Sequence, residues 1–163
     1  MTSPGNPYSA GGTADAIVDA VLTASRLLVA VSANSIAEVD ESVTLPQFRL
    51  LALLHASGPM KPSAVADTLG VNPSNATRMV DRLVAAGLVD RHVNPASRRE
   101  MVLNLTEAGS ETVSRATRHW CQDIGRIVDG MPEQHRAHMV EALEAFNTAG
   151  GERVTISGAH DRL

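Results

Sequence analysis

Ser74, Asn75, Thr77, Arg78 and Arg82 are spaced so that a helix through them turns all five away from Ala76, Met79, Val80, Leu83 and Val84. One flank is then apolar, and the other carries hydroxyl, amide and guanidinium groups. Those are the groups that can read base edges in the major groove of DNA. Asn72 suits the cap of such a helix, Pro73 suits its first position, where a backbone donor would be unpaired anyway, and Gly87 can end it in a left-handed turn. A second cluster follows. Asn94-Pro95-Ala96-Ser97 reads as a turn between two strand-like runs, and Arg98 and Arg99 place two cations at its tip.

Other candidate chemistry is sparse. The chain has no Gly-x-Ser-x-Gly elbow, no His-Glu-x-x-His, no glycine-rich phosphate loop and no carboxylate pair in a defined context, so neither enzymatic activity nor a cofactor is expected. His135 and His138 stand one helical turn apart without a companion Cys or acidic cluster, which suits a solvated face better than a metal site. Cys121, the sole cysteine, cannot form an internal disulfide, and inside a helix it reads as a small apolar residue before it reads as a redox sensor.

The 163 residues, 44% apolar but only 2% aromatic, suffice for one domain with a core of Ala, Val and Leu, a composition that favours helices. A net charge of -4 argues against nucleic acid as a partner, but its distribution argues for it. Over 60–99 six cations, Lys61 among them, face three carboxylates, whereas from Thr106 onward six arginines face nine. An acidic chain can thus present a basic face. Neither an apolar run of membrane-spanning length nor a signal-peptide pattern is expected, so the reading is a cytoplasmic protein without membrane contact.

These side chains need a scaffold. Residues 1–12, rich in Gly, Pro, Ser and Asn, read as a flexible arm. From Thr13 a long helix is predicted that is apolar on more than one side, through Ile17, Val21, Leu22, Leu28, Val29 and Ile36, with Asp15 and Asp19 placed for its N-terminal dipole. Shorter helices are predicted from Thr44 or Leu45 up to the Ser57-Gly58-Pro59 break, over 62–69, and from Pro73, the last two joined around Gly70 as a helix-turn-helix. Strands over 88–93 and 100–105 form the hairpin, with Met101, Leu103 and Leu105 on one face. Thr106 caps a helix to about 128, Pro132 opens a last one with Met139, Val140, Leu143 and Phe146 on one side, and 150–163 reads as a tail.

In this order, LPQFRLLALL, KPSAVADTLGVNPSNATRMVDRLVAAGLVDR and ASRREMVLNLTEAG resemble the multiple antibiotic resistance regulator (MarR) family of bacterial and archaeal transcription factors, closely over 45–109. The resemblance implies a mainly α fold with a small β-hairpin wing. A winged helix-turn-helix lobe at 44–105 would lie between dimerisation helices at 13–43 and 106–149. It further implies a homodimer that binds double-stranded DNA at a palindromic operator, usually as a repressor, and is often released by a small-molecule effector such as an aromatic or phenolic acid, or by oxidation. By position Pro73 to Arg82 is the recognition helix, with Ser74, Asn75, Thr77 and Arg78 nearest the bases. Arg82 is less firmly placed, because Asp81 and Asp90 offer it salt bridges. Ser63 falls where the preceding helix approaches phosphate, and Lys61, among the cations of this stretch, is a further DNA-binding candidate. Arg99 takes the minor-groove role in the wing beside Arg98, and Ser97 stands where the family usually has an Asp bracing that arginine, so the brace is a weaker hydroxyl contact or absent. Phe48, Leu51, His55 and Trp120 are the pocket residues implied for an effector, although Trp120 reads equally well as core filler. Two rival readings are a winged-helix protein-interaction module, which would need no arginines at the hairpin tip, and a redox-responsive regulator acting through Cys121.

Overall fold

Helix starts and stops in this chain are set by a few side chains of short reach. The computed structural model describes residues 11–94 and 97–151, and leaves undescribed the side chains of 13, 98 and 99. The elements run α1 (Gly11–Ala37), α2 (Leu45–Ser57), α3 (Pro62–Leu69), α4 (Pro73–Ala85), β1 (Val89–Asn94), β2 (Ser97–Leu105), α5 (Glu107–Asp129) and α6 (Glu133–Ala149). The backbone N–H and the hydroxyl of Thr44 both donate to Gln47 Oε1, at 2.8 and 3.0 Å, and fix the entry to α2. Gly70 leaves α3 in the left-handed region, and Asn72 Oδ1 accepts the Ser74 N–H at 2.9 Å to begin α4 two residues later. The Thr106 hydroxyl donates to the Gly87 carbonyl at 2.7 Å and accepts the Gly109 N–H at 3.0 Å, so one side chain caps α5 and ties it to the exit of α4.

The chain divides into two compact units, one ending at Asp123 and the other beginning at Ile124, with α5 crossing the boundary. In the first unit Leu50, Leu51 and Leu54 of α2 meet Val65 of α3, Val80 and Leu83 of α4, Val89 and Leu103 of the hairpin, and Val113 and Ala116 of α5. The strands pair antiparallel from Val89 with Leu105 to Val93 with Met101. Pairing then jumps to Asn94 with Ser97, which leaves residues 98–100 in the irregularity. Met60 bridges Leu103 through two backbone hydrogen bonds of 3.0 and 2.8 Å, adding a third short edge at the base of the hairpin. In the second unit α6 buries none of its residues, and Met139, Val140, Leu143 and Phe146 are exposed.

Met101, which shares a face of β2 with Leu103, is exposed where Leu103 is buried. Two expectations need correction. Helix α1 begins at Gly11, so Asp15 and Asp19 lie beyond its first turn and do not cap its dipole. The absence of a membrane-length apolar run is overturned by α1 itself: Ala14–Ala37 spans 24 residues at a hydropathy of 1.7, long and apolar enough by those measures to cross a bilayer. Leu51 and His55, two of the residues implied for a pocket, are placed in the next section. The arm and tail expected at the two ends fall, for 1–10 and 152–163, outside the described residues.

Candidate nucleic-acid interface

Helix α4 presents the two flanks that its sequence demands. Ala76, Val80 and Leu83 are buried, with Met79 and Val84 half-buried beside them, while Ser74, Asn75, Thr77, Arg78 and Arg82 are exposed. The Ser74 hydroxyl donates to Asn72 Oδ1 at 2.6 Å and the Thr77 hydroxyl to the Pro73 carbonyl at 2.9 Å. Their protons are committed, so each oxygen can serve a further partner only as an acceptor. Among the described residues the side chains of Asn75, Arg78 and Arg82 make no hydrogen bond or ion pair. Neither carboxylate that could have claimed Arg82 does so: Asp81 pairs with Arg91, and Asp90 has its Oδ2 3.8 Å from His92 Nε2. Arg82 also borders a hollow of about 230 Å³ with Thr44 and Gln47 at the start of α2.

Ser63 is exposed in the first turn of α3. Lys61, at the N-cap of that helix, is not a free cation: its Nζ lies 2.7 Å from Glu100 Oε1. The hydrogen bond from Lys61, and then its charge, hold the Glu100 carboxyl below the usual value, with a smaller contribution from Asn94, against the opposing effect of desolvation. Ser97 pairs with Asn94 at the top of the ladder. Arg98 and Arg99 belong to β2 by their backbone, and their side chains are outside what is described.

A cavity of about 170 Å³ opens between α1, α2 and α5, lined by Ile36, Phe48, Arg49, Ala52, Ala116 and Trp120 among others. Phe48 and Trp120 both line this cavity. Leu51 does not reach it, being fully enclosed in the core, and His55 lies outside it, with its Nδ1 3.3 Å from the Ser110 hydroxyl. Beside the cavity, α1 is tied to α5 by Ser35 Oγ donating to Asp123 Oδ2 at 3.2 Å, and just past its end Glu38 Oε2 lies 2.8 Å from His119 Nδ1 of α5. Cys121 is exposed, and His138 Nδ1 sits 2.8 Å from the Gln134 carbonyl one turn back. Sequence reasoning missed the Lys61–Glu100 pair. Partners 39 positions apart carry no local signal, and only the apposition of an unexplained carboxylate with a helix-capping lysine could have suggested it.

Comparison with known proteins follows the same outline. Residues 43–101 match the sequence model of the MarR family. The chain is similar to an uncharacterized HTH-type transcriptional regulator, YhbI of Bacillus subtilis, at 35% identity over 74 residues, covering 45% of this chain and 48% of that protein. It is 29% identical to the multiple antibiotic resistance protein MarR of Salmonella typhimurium over 82 residues, covering 50% of this chain and 57% of that one. The matches therefore span about half the length of these curated relatives. Among solved structures, RV1404 from Mycobacterium tuberculosis superposes with a TM-score of 0.78 at 49% identity, covering 93% of this chain and 99% of that one. A mutant MarR from E. coli complexed with operator DNA gives 0.62 at 21% identity, covering 80% and 92%, a likeness of fold alone.

Proposed function

The chain belongs to the MarR family, and from that premise we propose that it is a DNA-binding transcriptional regulator which acts as a homodimer on a palindromic operator, most simply as a repressor in the cytoplasm. One observation carries this reading: the exposed edge of α4, where acceptor oxygens at Ser74 and Thr77 stand beside the unengaged side chains of Asn75, Arg78 and Arg82. A guanidinium left without a carboxylate partner beside an amide and two oriented acceptors is equipped for base edges and phosphate together. Ser63 on α3 would approach phosphate, and Arg98 and Arg99 would reach the backbone or the minor groove from the wing. The operator complex reported for the E. coli MarR mutant supports the same use of the shared fold.

Release of DNA by a small effector is the second part of the proposal. The cavity bounded by Phe48, Arg49 and Trp120 touches α1 and the DNA-binding lobe at once, so an occupant would bias their relative placement. At about 170 Å³ it is well below the roughly 300–1,000 Å³ of pockets that hold drug-sized ligands, so the effector would be small.

The test is a salt-controlled gel shift on the duplex upstream of the protein's own gene, followed by footprinting. Arg78→Ala should weaken specific binding by about 1–3 kcal/mol and relax base preference within the footprint, while Arg99→Ala weakens it comparably at the flanks. Equal affinity of the Arg78→Ala variant and the parent at matched salt would remove α4 from the interface.

A further inference from the structure

Past Val93 and Met101 the hairpin has no core beneath it. Those residues are 52% and 42% exposed, and the Met60 bridge grips β2 lower down, at Leu103. At the distal level a charge pair takes over. Lys61 Nζ donates to Glu100 Oε1 at 2.7 Å, and Glu100 Oε2 accepts from Asn94 Nδ2 at 3.3 Å. A single carboxylate therefore joins the start of α3 to both strands of the hairpin, where the strand register breaks. The placement is electrostatically specific. An ammonium at the N-cap of α3 meets the positive end of the helix dipole, and an anion on the wing relieves that conflict.

We propose that Glu100 is the positioning residue of the wing: through Lys61 and Asn94 it latches the distal hairpin to the N-terminus of α3 and sets the direction from which the Arg98-Arg99 strand approaches a partner. The consequence for DNA rests on the function proposed above; the latch itself rests on geometry alone. Lys61 then serves the wing rather than a phosphate, and a wing held before contact has less freedom to lose on binding. Exposed ion pairs add little to overall stability, so breaking this one leaves the fold intact and frees only the hairpin.

The experiment uses the full chain and two readouts, amide hydrogen exchange and binding to the duplex upstream of its own gene. Three variants are compared with the parent: Glu100→Gln, Lys61→Glu, and the reversed pair Lys61→Glu with Glu100→Lys. Both single changes should speed exchange across β1 and β2 while the amides of Leu50, Leu51 and Leu54 keep the parent's rates. The reversed pair should restore slow exchange. Glu100→Gln should loosen duplex binding about two- to fivefold, the span of a typical exposed pair. Parent-like hairpin exchange in Glu100→Gln overturns the latch, as does tighter duplex binding by that variant, which would make Lys61 a phosphate ligand restrained by Glu100. If no form of the protein binds duplex while the exchange pattern holds, the DNA-binding reading falls and the latch stands.

Discussion

Charge at individual residues divides into groups engaged within the protein and groups left for a partner. Arg91 and Lys61 are engaged, by Asp81 and Glu100, while Arg78 and Arg82 are left. Sequence could assign the flank of α4 because helical periodicity is local, but it could not tell engaged cations from free ones, because that depends on which carboxylate the hairpin brings near. Glu100 makes the difference measurable. Its carboxyl titrates below the ordinary 4.5, chiefly through the hydrogen bond from Lys61. A carboxylate whose value is depressed on folding contributes fully above its unfolded value, and the contribution is lost as pH falls through the folded one. Hairpin protection in amide exchange, corrected for intrinsic rates, should therefore stay level from neutral pH down to 4.5 and decline below it. A decline that begins on the alkaline side of 4.5 would assign the hairpin's stability to another group.

Elements were legible where their ends are written in side chains. Asn72 with Pro73, Thr44 with Pro46 and Thr106 each mark a start that the structure keeps, and Gly70 and Gly87 mark exits that need positive φ. The Met60 edge left no trace, because a single bridging residue has no period to detect. The close approach at Gly109 was equally silent, since glycine in the first turn of a helix reads only as a weak helix former. A Cβ there would lie 2.1 Å from the Leu88 carbonyl oxygen and 2.8 Å from Leu105 Cδ1. That carbonyl also accepts the Thr106 N–H at 3.1 Å, so it cannot retreat without breaking the joint between α4 and α5. Gly109→Ala should cost about 1–3 kcal/mol in urea unfolding with an unchanged denaturant slope, although alanine is the better helix former. A stabilised variant would mean that α5 can slide along the exit of α4.

The whole molecule must account for α1, where Ile17, Val18, Leu22, Leu27, Leu28 and Val29 are 43% to 56% exposed. Contiguous apolar surface of this kind marks a site that something else covers. A bilayer or a second copy of the chain could each cover it. Arg26 falls near the middle of Ala14–Ala37, where a cation costs about 2.5–3.5 kcal/mol in a membrane-spanning helix, and Asp15 and Asp19 add charge toward one end. A dimer carries no such penalty, because charged residues at the rim of an interface stay in water. It also supplies what an operator needs, two recognition helices set about 34–36 Å apart. In the proposed dimer Leu22→Glu would bury a carboxylate between the copies, and it should shift the sedimenting species from dimer to monomer. It should also reduce operator binding to the weak, salt-sensitive affinity of a single lobe, while the core of the DNA-binding lobe keeps its unfolding midpoint. A Leu22→Glu protein that sediments as the parent does would exclude this face of α1 from the dimer, and co-flotation of the parent with neutral phospholipid vesicles would return the helix to the bilayer.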